Sequence, residues 1–155
     1  MKSGLGLIAF LLIVLAAAAV GARYMPGEWY ASLRKPPFNP PNWIFGPVWT
    51  ALYLGMAVAA WLVWREGGLR VQALPLALFG AQLILNAAWS FLFFGLRRPD
   101  LALVNIVCLG ALIAATAVAF RPVSTAAFVL MLPYLAWVSF ATVLNASLWW
   151  LNRAA

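Results

Sequence analysis

The sequence contains no histidine, a single cysteine (Cys108) and three carboxylate side chains, Glu28, Glu66 and Asp100. One thiol excludes an intramolecular disulfide and any thiolate cluster. Without imidazole the commonest metal and haem ligand is missing, so no metal site and no resident cofactor are expected. The three acids lie in or beside connectors and none is paired, which leaves general acid and base catalysis poorly supplied. Charge of either sign is scarce: 8% of residues are charged and 66% are hydrophobic, with a mean hydropathy of +0.97 over 155 residues. Such a chain has too little polar surface to coat a soluble globule. Sustained alternation at period two is also missing, which removes an outer-membrane barrel and leaves helices as the way to cross a bilayer. The formal charge of +7 sits in short connectors rather than in a stripe or patch. It points to lipid headgroups and topology, not to nucleic acid.

Five apolar runs are present, each close to the roughly 20 residues that cross a hydrocarbon core of about 30 Å. Their expected limits are about 4–22, 43–64, 71–96, 101–120 and 124–151, in a single domain over residues 1–155. The first run is longer than the roughly 7 to 15 residues of a signal-peptide core and is read as a retained helix. Its Ala17 and Gly21 form a small-xxx-small pair that lets a neighbour approach closely. Asn42 is expected to cap the second span, Gly67-Gly68 to close it, and Pro133 to kink the fifth. Five spans place the chain ends on opposite sides. Lys2, Arg65, Arg70 and Arg121 fall on one side, and Arg23, Arg34, Lys35, Arg97, Arg98 and Arg153 on the other. That excess places the connector between the first two spans, and the C-terminus, in the cytoplasm.

This connector is the odd piece of the chain. From Glu28 to Tyr53 it packs Pro36, Pro37, Pro40, Pro41 and Pro47 with three tryptophans and two tyrosines around Arg34 and Lys35. Paired prolines fix φ and remove donors, so residues 35–42 are expected to be extended and stiff. Rigid aromatic rings on such a strap suit either a membrane interface or a lid over an aromatic ligand. Two further patterns bear on that choice. Gln82, Asn86 and Ser90 recur every fourth residue in mid-span beside Trp89, and must look inward at other helices or at a ligand. Trp49, Tyr53, Met56 and Ala60 share a face of the second span, as Tyr134, Trp137, Ala141 and Asn145 do of the fifth, while Asn105 and Cys108 lie one turn apart in the fourth. Each of these faces serves equally for helix packing or for a pocket wall.

WYASLRKPPFNPPNWIFGPVWTALY (residues 29–53), QLILNAAWSFLFFG (82–95) and PYLAWVSFATVLN (133–145) together resemble the TspO/MBR family, the bacterial relatives of the mitochondrial translocator protein. The resemblance spans essentially the whole chain. It implies an all-α integral membrane protein, a five-transmembrane-helix bundle whose Pro/Trp-rich loop between the first two helices folds over a pocket, in a bacterial cell membrane. It further implies binding of porphyrin and haem-type tetrapyrroles and other flat hydrophobic ligands, with a role in tetrapyrrole or stress regulation. By position, the ligand-binding residues would be Tyr30, Pro40, Trp49, Tyr53, Asn86, Trp89, Ser90, Cys108, Trp137 and Ala141. Light- and oxygen-dependent porphyrin degradation, with Trp49 and Trp137 as photochemical residues, is the alternative activity, and a ligand-independent membrane partner is a third reading. Departures are informative. Animal members carry a cholesterol-recognition segment at the end of the fifth helix, and here no Tyr stands between Leu144 and Arg153, which argues against cholesterol. Asn105 replaces an acid found in several relatives. Ala77 and Ala81 keep the spacing of a Gly-xxx-Gly seam, so a homodimer is expected.

Overall fold

A computed structural model describes residues 2–154. Its helices are α1 (Lys2–Ala22), α2 (Glu28–Ser32), α3 (Asn42–Arg65), α4 (Gly68–Val71), α5 (Ala73–Ser90), α6 (Pro99–Phe120) and α7 (Thr125–Asn152). α5 continues into a wider π turn, Phe91–Gly95, so residues 73–95 form one rod. Five of these elements, α1, α3, α5 with its π turn, α6 and α7, are long and apolar enough to cross a membrane. The protein is a multi-pass membrane protein.

Local chemistry explains where the rods stop. Gly67 and Gly68 take φ of +139° and +73°, the left-handed region that a side chain would resist, and reverse the chain after α3. The π turn closes through the Leu96 N–H donating to the Phe91 carbonyl (2.8 Å), Arg97 adopts φ of +53°, and Pro99 opens α6 where a missing N–H costs nothing. Ser124 caps α7, its Oγ accepting from the Ala127 N–H at 3.2 Å. Asn42 does not cap α3 as expected: Pro41, extended at φ −58° and ψ 143°, occupies the cap and Asn42 is already the first helical residue. α7 runs on as helix through Pro133.

Neighbouring helices follow one another around the bundle in the order α1, α3, α7, α6, α5 and back to α1, a closed ring. Lipid is as apolar as the helices, so close packing and hydrogen bonds, not burial from water, hold such a ring together. The main buried cluster fills the Gly67 end. There Met56, Ala57, Ala60 and Val63 of α3 share one buried cluster with Ile113, Ala117 and Phe120 of α6 and Met131 and Tyr134 of α7, all fully or almost fully buried. Toward the opposite end the rods part, and the connector after α1 lies across the gap. Ala77, expected in a dimer seam, is exposed on the outside of α5, and Ala81 is half-buried.

Candidate functional site: a flap-covered aromatic chamber

The connector is more structured than an extended strap. Residues 28–32 form the short helix α2, which sets Trp29 and Tyr30 against the π turn of α5. Trp29 meets Phe93 edge-on at 5.7 Å, and Tyr30 meets Phe94 at 5.6 Å and Phe93 at 6.3 Å. Such pairs contribute about 0.5 to 1.5 kcal/mol each beyond burial. The Tyr30 hydroxyl donates to Asn39 Oδ1 at 3.1 Å, and burial pushes its phenol above the usual range despite that bond. The paired prolines then turn the chain, with the Asn39 N–H donating to the Pro36 carbonyl at 3.0 Å. Between these points the strap is clasped to α7. The Arg34 N–H donates to Asn152 Oδ1, and Asn152 Nδ2 donates to the Arg34 carbonyl, both at 2.9 Å. A side-chain amide thus pairs with the flap backbone as a neighbouring strand would.

Beneath this flap lies a cavity of about 540 Å³, within the roughly 300 to 1,000 Å³ typical of small-molecule sites. Tyr30 reaches it from the flap, Phe45, Trp49 and Tyr53 from α3, and Asn86, Trp89, Ser90 and Phe93 from α5 and its π turn. Ile106 and Leu109 come from α6, and Trp137, Ala141 and Leu144 from α7. The walls are flat rings set at angles: Trp89 stacks on Phe93 (5.0 Å, 23°), Phe45 stands edge-on to Trp137 (5.9 Å, 72°), and Trp49 tilts against Tyr53 (5.5 Å).

The floor is polar and hydrogen-bonded. The Tyr53 hydroxyl donates to Asn86 Oδ1 (2.8 Å), Asn86 Nδ2 donates to the Tyr134 hydroxyl (2.7 Å), and that hydroxyl donates to Gln82 Oε1 (2.8 Å). One ladder therefore ties α3, α5 and α7 together at mid-span. A second tie starts at Trp89, whose Nε1 donates to Asn145 Oδ1 (3.0 Å), while Asn145 Nδ2 donates to the Pro99 carbonyl (2.8 Å). The stripe on α5 thus divides. Gln82, fully buried, is interhelical glue; Asn86 is glue that also lines the chamber; Ser90 lies on the chamber wall. Asn105 is glue as well, its Nδ2 donating to the Leu85 carbonyl at 3.0 Å.

Of the ten positions expected to bind ligand, Tyr30, Trp49, Tyr53, Asn86, Trp89, Ser90, Trp137 and Ala141 surround this one cavity. Cys108 does not. It is exposed on the outside of α6, because Ile106 and Leu109 take the inward face and a residue between them points away. Pro40 is half-buried in the strap but is not on the cavity wall; its carbonyl accepts from Asn39 Nδ2. Lys35, one of the two cations of the connector, is already engaged: Nζ donates to the Ala31 and Leu33 carbonyls (3.2 and 3.1 Å) and lies 4.8 Å from the Tyr30 ring centre. Arg34 uses its backbone in the clasp and leaves its side chain exposed. Phe45 and Phe93 were missed. Phe45 stands one turn before Trp49 and two before Tyr53, a readable signal; Phe93 is aimed inward by the π turn, which no residue pattern announced.

Residues 7–151 match the TspO/MBR family. The chain is 44% identical over 151 residues to the translocator protein of Ovis aries, covering 94% of this chain and 89% of the relative. It is 47% identical over 135 residues to that of Homo sapiens, covering 84% and 80%. The "Tryptophan-rich protein TspO" of Archaeoglobus fulgidus is 41% identical over 151 residues, covering 96% and 97%. With residues 7–151 matched and relatives more than 40% identical over most of their length, this chain belongs to the TspO/MBR family.

Proposed function

We propose that the protein is a membrane receptor or carrier for flat, hydrophobic organic molecules, tetrapyrroles such as protoporphyrin IX and haem foremost. The observation that carries this reading is the convergence of Tyr30, Trp49, Asn86 and Trp137, from four separate segments, on one cavity with aromatic walls. A porphyrin is an apolar disc with two acidic arms. Ring faces and edges suit the disc, with each stacked ring adding on the order of 1 kcal/mol. The acids need a cation, and the exposed Arg34 side chain is the candidate, since a guanidinium pairs with carboxylate in a bidentate way. Lys35 is occupied in holding the flap.

The chain has no histidine, so iron adds little to the affinity and the macrocycle dominates. In a tryptophan-fluorescence titration, metal-free protoporphyrin and haem should therefore bind with affinities within about tenfold of each other, a difference of about 1.4 kcal/mol. Trp137→Ala should weaken both together. Loss of binding on removing iron would overturn the reading.

A second reading, light-driven porphyrin breakdown, is favoured by one observation: Trp49 and Trp137 both line the cavity, where an indole can donate an electron to an excited ligand. Repeating the titration under illumination separates the two. Product spectra that stay the same in Trp137→Phe leave binding alone.

A further inference from the structure

We infer that ligands reach the chamber sideways from the hydrocarbon, through a slot between α1 and α3, and not through the flap; this rests on the reading that the chamber binds flat apolar molecules. The side-chain ties between α1 and α3 lie near the start of α1. Near the start of α1, Trp61 Nε1 donates to the Ser3 carbonyl (2.7 Å), Phe10 meets Trp64 edge-on at 6.3 Å, and Gly6 lies so close to the Trp64 ring that a methyl group there would collide with it. At its other end α1 leans away, onto α5: Gly21 lies against Ser90, and Tyr24 packs on Phe91 at 5.2 Å. Two rods pinned together at one end and held apart at the other leave a wedge.

The residues edging that wedge face both ways. Leu15 of α1 and Leu54 of α3 line the cavity and are 55% and 50% exposed, and Gly46 and Thr50 of α3 are likewise exposed lining residues. A side chain that belongs to a cavity wall and to the outer surface marks a breach in the wall. At about 1.5 Å per residue, Leu15 lies roughly 10 Å and Leu54 roughly 18 Å below the flap end of its helix. The breach therefore reaches about halfway into a hydrocarbon core of about 30 Å.

α1 is also the rod least held by the bundle, with 11% of its apolar stretch buried against 28–33% for the other four. Met25 and Pro26 just after α1 and Asn42 at the start of α3 are exposed lining residues too, so the breach runs up to the root of the connector, while the rest of the flap is closed. It is fastened by Asn152 to Arg34, by Tyr30 to Asn39 and by the Trp29 and Tyr30 contacts with the π turn. A flat apolar molecule dissolves in the bilayer first, so the open side is the one it meets.

The test uses the full chain in phosphatidylcholine vesicles with protoporphyrin as probe. Association and dissociation rates are read by stopped-flow tryptophan quenching, with excess empty vesicles as the sink for release. Thr50→Trp, which fills the slot, should slow both rates about tenfold, and Leu15→Ala, which widens it, should speed both about threefold. Asn152→Ala, which undoes the flap clasp away from the cavity, should leave both rates unchanged. The proposal is overturned if Asn152→Ala speeds both rates, or if the slot variants alter one rate alone or neither. Absence of saturable quenching in the unaltered protein would instead refute the binding reading itself.

Discussion

At the residue scale, the most demanding position is Tyr134. Its ring is fully buried, and its hydroxyl accepts from Asn86 and donates to Gln82. In hydrocarbon neither amide has water to fall back on. Removing the hydroxyl leaves an Asn donor and a Gln acceptor unpaired in the same place, and the penalty for stranding a group exceeds the gain of the bond that was lost. Interhelical hydrogen bonds within membranes contribute about 0.6 kcal/mol on average and about 1.7 kcal/mol at most. Tyr134→Phe should therefore destabilise by about 1 to 2 kcal/mol, read as a lower thermal midpoint in detergent. Combining it with Gln82→Leu should recover part of that loss, because the stranded acceptor is then gone. A double variant whose losses simply add would show that the two side chains do not act as a unit.

At the scale of elements, the flap is a short helix and a proline turn held at a few points, and the clasp from Asn152 is its long-range hydrogen bond to α7. The Arg34 amide is protected by that one acceptor. Asn152→Ala should speed hydrogen exchange at Arg34 about tenfold, the effect of losing about 1.4 kcal/mol of local protection, while exchange in the body of α7 stays as it was. Equal acceleration throughout α7 would mean that Asn152 supports the helix and not the flap.

How far these elements were legible follows from their chemistry. The spans were plain because an apolar run of the right length has few other uses, and the reversal at Gly67-Gly68 because positive φ favours glycine. The chamber walls on α3, α5 and α7 were legible through rings and amides recurring each turn. Cys108 was misplaced because α6 is apolar almost all round, so its pattern does not single out the cavity face; Ile106, two residues before, and Leu109, one after, take it. The contribution of α1, through Leu11, Val14 and Ala18, was invisible for the same reason. α2 escaped notice because the prolines that follow it dominate the pattern, and Asn152 because one amide near a chain end carries no periodic signal.

At the scale of the molecule, two ends of one bundle have different jobs. The buried cluster at the Gly67 end makes the base, and the splay of the rods at the other end leaves room for a guest beneath the flap. The Tyr53–Asn86–Tyr134–Gln82 ladder sits at the junction, where it ties three helices and floors the chamber. The most direct measurement is the structure of the protein determined with protoporphyrin bound. The macrocycle should lie inside the ring of helices, touching Tyr30, Trp49 and Trp137 together. Protoporphyrin found only on the outer, lipid-facing surface, with those three side chains untouched, would contradict the account.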